Sequence, residues 1–212
     1  MNIHKLVFSP IEVNTYIIAG ESGNCAILDC GCFDEKEWAL LETFINDNKL
    51  TPVALLNTHC HLDHVFGNRF VLNTYNLKTQ CHELEKPVLD SFTAHTMRWG
   101  WKMDAPPKPM KYIAHNEVIE FDNISLKALH VPGHTQGSLA FYSEADGCVF
   151  TGDALFAGSI GRTDLPGGNF DTLINSIQKN LFTLPPSTTV YPGHGSYTGI
   201  GAEITTNPWF RQ

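Results

Sequence analysis

Short apolar runs bounded by turn residues dominate the start of the chain. Residues 4–8, 13–19 and 25–29 each carry one, separated by Ser9-Pro10 and by residues 20–23, and this spacing predicts three strands in an antiparallel meander. The period then changes. Trp38, Leu41, Phe44 and Ile45 recur at helical spacing within residues 35–49, with Asp34 and Glu37 as a capping pair at the start. Residues 53–57 form a short apolar run behind Pro52, too short for a helix. They read as a buried strand leading into Thr58-His59-Cys60-His61-Leu62-Asp63-His64.

Residues 65–75 have a helical pattern and 78–81 suit a further strand. From 82 to 109 the pattern is irregular and ends in Pro106, Pro107 and Pro109, so this stretch reads as an excursion from the sheet. Strands resume at 124–130, 139–143 and 148–151, and Phe170, Leu173, Ile174, Ile177 and Leu181 make a helical stripe. A last strand at 188–191 runs into Pro192-Gly193-His194-Gly195. No low-complexity linker interrupts the pattern, which predicts a single α/β domain over residues 1–212, a sheet core with outer helices.

Composition narrows the function. A chain of 212 residues that is 42% hydrophobic can bury a core and is not disordered. Fourteen Lys plus Arg against 22 Asp plus Glu leave a net charge of −8, which disfavours nucleic acid or an anionic membrane as partner. No apolar run approaches the roughly 18 residues of a transmembrane helix, and no long apolar stretch follows a basic start. Six cysteines without a C-x-x-C pair read as reduced thiols, and the expectation is a cytoplasmic protein.

The histidines change the picture most. Alternate residues of an extended segment share a side, so His59 and His61 can grip one ion while Cys60 points away as a small buried hydrophobe. Asp63 and His64, at the turn into a helix, can face a second ion. Three later segments share one arrangement, a strand end that delivers a ligand type into a Gly-bearing turn: Val131-Pro132-Gly133-His134, Thr151-Gly152-Asp153 and Tyr191-Pro192-Gly193-His194. His4, His82, His95, His115 and His130 read as packing or surface residues. Met97, Trp99, Trp101 and Met103 are equally an ordinary packing cluster or an apolar wall over the site.

The set His59-x-His61-x-Asp63-His64, His134, Asp153 and His194 resembles the metallo-β-lactamase superfamily over essentially the whole chain. Gly152-Asp153-Ala154-Leu155-Phe156, Gly161-Arg162-Thr163-Asp164 and the ending Pro192-Gly193-His194-Gly195 with Asn207-Pro208 are similar to the glyoxalase II-like hydrolases, in their short form without the extra helical domain and its basic substrate contacts. The resemblance implies an αββα sandwich, two central mixed sheets flanked by helices, with the metal site at one edge. It also implies His59, His61 and His134 on a first ion, Asp63, His64 and His194 on a second, and Asp153 bridging, with Asp63 and Asp153 the catalytic carboxylates. Arg162 falls where relatives have a basic residue that contacts the substrate carboxylate, although a structural pair with Asp164 is as reasonable.

Imidazole and carboxylate donors suit zinc or iron, and the cofactor expected is two zinc ions, with iron or a mixed pair as alternatives. Two such ions about 3.5 to 4 Å apart can hold a bridging hydroxide and polarise a carbonyl. A thiolate leaving group, with a conjugate-acid pKa near 8.5, departs without strong general-acid help. The expected function is therefore hydrolysis of a small acyl thioester, that substrate being the expected partner. The first alternative resembles the mononuclear iron persulfide dioxygenases, with His59, His134 and Asp153 as its site. A metal-binding scaffold is the non-enzymatic one.

Overall fold

The computed structural model describes residues 1–109 and 111–211. Its first sheet contains β1 (Asn2–Phe8), β2 (Val13–Ala19), β3 (Asn24–Leu28), β4 (Thr51–Leu56), β5 (Thr79–Cys81) and β6 (Lys111–Tyr112), in that spatial order. The first three strands form the expected antiparallel meander, and β3 to β6 are parallel. The second sheet contains β7 (Val118–Phe121), β8 (Ile124–His130), β9 (Leu139–Ser143), β10 (Cys148–Gly152), β13 (Thr189–Pro192) and β14 (Thr198–Gly199), in the order β14-β13-β10-β9-β8-β7. Between β10 and β13 lies a small hairpin of β11 (Leu155–Phe156) and β12 (Ser159–Ile160).

Strand alternation builds the layers. Tyr16, Ile18, Ala26, Leu28 and Leu56 of the first sheet share one buried cluster with Leu126, Ala128, Leu139, Phe141 and Phe150 of the second, so these faces meet. The intervening residues Ile17, Cys25, Ile27 and Leu55 face outward onto Trp38, Leu41 and Ile45 of α1 (Glu35–Asp47). On the other side, Leu129, Ala140, Tyr142, Val149 and Val190 cover Leu173 and Ile177 of α6 (Phe170–Asn180) and Ile200 of α7 (Ile200–Thr206). The result is helix, sheet, sheet, helix, the αββα sandwich.

Several local expectations are corrected. Asp34 caps α1 through the Lys36 and Glu37 N–H groups, but Glu37 turns its carboxylate to the backbone of Phe33 and Ser9 and pins the β1–β2 turn. The helix expected over 65–75 is two pieces, α2 (Leu62–Val65) and α3 (Asn68–Tyr75). Gly67 lies between them because its N–H bonds to the Cys30 carbonyl, and a β-carbon there would strike Cys30 Sγ. Residues 82–109 are not irregular throughout: they hold α4 (Lys86–Asp90) and α5 (Phe92–Arg98), each too short to show a clear period. Strand β7 was likewise unanticipated. Among the described residues no helix is long and apolar enough to cross a membrane.

Candidate metal centre

Four segments leave strand ends at one edge of the sandwich: residues 57–64 after β4, 131–134 after β8, 153 after β10 and 193–194 after β13. The sheets are tied together there. Leu139 N–H donates to the Thr58 carbonyl at 2.7 Å, and Asn14 N–H to the Gly193 carbonyl at 2.7 Å. Two glycines permit the approach. Gly152 has φ +51, and a β-carbon there would run into Thr58, while one on Gly193 would run into Asp153 and His64.

Hydrogen-bond partners assign the imidazole tautomers, because a carbonyl or carboxylate only accepts. His134 Nδ1–H donates to the Arg162 carbonyl at 2.8 Å, which leaves Nε2 as a bare lone pair. Thr58 Oγ1 gives its proton to Asp29 at 2.6 Å and so accepts from His59 Nδ1 at 3.2 Å, leaving His59 Nε2 bare as well. These two Nε2 atoms stand 3.2 Å apart, and His61 Nδ1 is 2.8 Å from that of His134. The bare lone pairs of His59 and His134 are thus turned on one another with a third ring nitrogen beside them, an arrangement that a cation among them would satisfy, so the trio fits a metal ion.

Asp63, His64 and His194 form the second group. His64 Nδ1–H donates to Asp29 Oδ2 at 3.0 Å and His194 Nδ1–H to the Glu12 carbonyl at 3.1 Å, so both turn Nε2 inward. Asp63 Oδ2 lies 3.1 Å from His194 Nε2 and 3.6 Å from His64 Nε2. Asp153 faces both groups, with Oδ1 3.4 Å from His64 Nε2, and Oδ2 3.6 Å from His194 Nε2 and 3.7 Å from His134 Nε2. His64 Nε2 and Asp153 Oδ1 are buried without a hydrogen-bond partner, which is rare unless an ion satisfies them.

The electrostatics differ between the groups. Burial holds His59 well below the ordinary imidazole value, lowers His134 and depresses His61 to about 3, with neighbouring imidazoles adding to the effect at His59 and His61. At His64 burial opposes the charge, but Asp63, Asp153 and Asp29 outweigh it and raise the pKa well above normal. His194 is raised against its own burial by Asp63 and Asp153. Burial also works against ionisation of Asp63 and Asp153, yet His64 and the neighbouring histidines hold both carboxyls below the usual range.

All seven residues named from the sequence meet at this edge, and they form the groups His59–His61–His134, His59–His64–Asp153 and Asp63–His64–His194. Cys60 points the other way, into a cluster with Val65, Phe66, Cys81 and Phe92. Trp101 and Met103 pack on that same cluster, Trp101 edge-on to Phe33 and Phe66, whereas Met97 and Trp99 are 69% and 63% exposed. The Arg162 side chain makes a bidentate pair with Asp164, 2.8 Å at each contact, and is 61% exposed, while its backbone carbonyl holds His134.

Sequence reading missed the residues behind the ligands. Asp29, buried at φ +52, accepts from the Thr58 N–H, the Thr58 hydroxyl and His64. It could have been found, since it follows an apolar strand as His134 and Asp153 do. Asn57 fixes the carbonyl of His64 at 2.7 Å, and Glu85 is buried beneath the same loop with no comparable signal.

A family model described as the metallo-beta-lactamase superfamily matches residues 9–194. Hydroxyacylglutathione hydrolase GloC of Haemophilus influenzae is 34% identical over 211 residues, covering 99% of this chain and 98% of that protein. The BLEG-1 B3 metallo-beta-lactamase structure matches over 100% of both chains, with a TM-score of 0.87 and 30% identity. TTHA1623 in a di-iron-bound form matches over 97% of this chain and 99% of its own, with a TM-score of 0.86 and 34% identity. With residues 9–194 matched and a relative aligned over nearly its whole length, this chain belongs to the metallo-beta-lactamase superfamily, a superfamily of metallo-hydrolases.

Proposed function

We propose that this protein is a dinuclear metal-dependent hydrolase of small acyl thioesters. The observation that carries the reading is the convergence of two three-residue donor groups with Asp153 facing both. His59, His61 and His134 would hold one ion, Asp63, His64 and His194 the other, and Asp153 would join them. Zinc is the expected metal, and the di-iron form of TTHA1623 keeps iron as the alternative. When bound, the ions supply Lewis acidity that brings the pKa of water toward neutrality and polarises an acyl carbonyl.

The chain's own residues do the rest. Asp63 is held ionised and is the base this reading assigns to the proton of the attacking water. Asp153 orients the donors of both groups. All six cysteines are buried, so none is offered as a nucleophile, and a thiolate leaves without a strong acid beside it. Arg162, exposed at the end of the loop that anchors His134, is the residue assigned to a substrate carboxylate, which would displace Asp164 from its fork. The likeness to the Haemophilus hydroxyacylglutathione hydrolase supports an S-2-hydroxyacyl thioester as substrate.

The persulfide dioxygenase alternative uses His59, His134 and Asp153 and leaves the Asp63–His64–His194 group without a role; its gathering favours two ions. The test is metal stoichiometry on protein purified without added metal or chelator, followed by assay against thioesters, a persulfide and lactams. Two zinc or two iron per chain with thioester turnover is the expected result. One iron with oxygen uptake on the persulfide, or hydrolysis of lactams alone, would replace this reading. A fully loaded protein inert to the whole panel would make it a scaffold.

A further inference from the structure

We infer that Glu85 is a positioning residue for the metal centre, a single buried carboxylate that ties the segment carrying His59 and His61 to the loop carrying His134. The inference rests on the metal reading above. Glu85 has no solvent exposure and lies in the one-turn helix Glu83–Glu85, outside every ligand segment. Oε2 accepts the Cys60 N–H at 2.7 Å, and Oε1 accepts the Thr135 hydroxyl at 2.6 Å and the Gly137 N–H at 2.9 Å.

Each contact is one or a few residues from a ligand. Cys60 lies between His59 and His61, and Thr135 follows His134 directly, so the clamp spans all three donors of the trio. The amides of Thr58 and Cys60, on either side of His59, go to two different buried carboxylates, Asp29 and Glu85. Asp29 also holds the ring of His64 and, through the Thr58 hydroxyl, that of His59, which places it behind both groups. Glu85 touches neither His64 nor His194, and its partners belong to the segments of the first. Gly137 is shaped to it, since a β-carbon there would stand 2.7 Å from Glu85 Oε1. Three convergent donors offset the cost of burying the carboxylate, although burial still leaves its pKa above the ordinary value.

A role confined to folding and a role in placing ligands are separable, because the molecule carries a matched control. Glu203 is also a buried carboxylate with three protein partners, Gly158 N–H, the Thr198 hydroxyl and Asn207 Nδ2, and none of them flanks a ligand histidine. The experiment is titration of the chelator-stripped full chain with Co(II), followed by calorimetry and by the visible d–d bands, for wild type, Glu85→Gln and Glu203→Gln. Glu85→Gln keeps the side-chain volume but puts an amide NH2 or a weaker acceptor against the Cys60 N–H. Its tightest Co(II) should bind about 10- to 100-fold more weakly, the range of outer-shell substitutions, with shifted d–d bands. Glu203→Gln should keep wild-type affinity and spectrum even where its melting temperature falls as far.

Wild-type affinity and bands in Glu85→Gln would overturn the inference, as would an equal loss in Glu203→Gln. Should Glu85→Gln fail to fold, Thr135→Val removes its bond to Glu85 together with a contact to Ser138, and Ser138→Ala controls for the second. An unchanged affinity and spectrum in Thr135→Val, or an equal loss in Ser138→Ala, overturns the inference in the same way. A wild-type chain that binds no Co(II) would instead sink the metal reading itself, and this inference with it, before any variant is compared.

Discussion

The two donor groups at the sheet edge are built from similar residues and prepared in opposite ways. His59, His61 and His134 face one another with burial pressing all three toward the neutral imidazole, so their lone pairs await a cation. His64 and His194 sit among Asp63, Asp153 and Asp29, and those carboxylates favour their protonation. In the second group protons compete for the donor nitrogens more strongly than in the first. Both groups are largely buried in the same edge, so the contrast comes from the carboxylates around the second group and the mutual repulsion of imidazoles in the first. It teaches that protons compete with a metal less in the trio than in the second group.

The most severe way to break the comparison is to remove the residue both groups share. Asp153→Ala should drop metal content below two ions per chain and lower thioester turnover by more than about 100-fold, beyond the usual outer-shell effect. Undiminished turnover with two ions bound would sink the shared role. A graded break comes from Asp29→Asn, where Asn tolerates the left-handed backbone but presents an amide to Thr58 and His64. Affinity for the ion held by His64, whose ring Asp29 bonds directly, should fall about 10- to 100-fold, with a smaller loss at the ion held by His59, which Asp29 reaches only through Thr58, as read by calorimetry.

Acidification sharpens the contrast. Proton and metal compete for the same imidazole lone pair, so a raised pKa means release at a higher pH. His64 and His194 are raised and His61 is depressed to about 3, so as pH falls from neutrality the ion on Asp63–His64–His194 should leave first. Metal content after dialysis at stepped pH should fall in two stages, and Asp63→Asn should retain only the more acidic one. Loss of both ions in one step would refute the ordering. The smallest effect is expected outside both groups: Arg162→Ala should raise KM several-fold for a carboxylate-bearing thioester with kcat nearly unchanged, because the pair with Asp164 lies in solvent. A matching fall in kcat would show that Arg162 acts on the metal loop through its backbone instead.

Much of this site was legible without coordinates, for a local reason. His59, His61, Asp63 and His64 lie within six residues, and alternation along an extended segment followed by a helical turn settles which way each points. His134, Asp153 and His194 each follow an apolar run at a glycine, so the strand end itself marks them. Asp29 follows the same grammar and was passed over because it stands without histidine neighbours. Glu85 has no local mark at all. It sits in a stretch of short helices whose period is too brief to read, and its partners are 25, 50 and 52 residues away.

Sequence pattern alone therefore determined the strand meander, a sheet core with outer helices and the seven donor types, because hydrophobic period and ligand spacing are properties of neighbouring residues; the four-layer order came with the family resemblance. Only the tertiary structure decided which donors come within reach of one another and which nitrogen His59, His64, His134 and His194 turn inward. It also decided which histidines a carboxylate charges, since those depend on distances between segments the chain brings together only when the two sheets pack. The division falls where contact range exceeds chain range: what one strand or turn can specify was visible in advance. What two carboxylates hold across the seam of the sandwich required the fold itself.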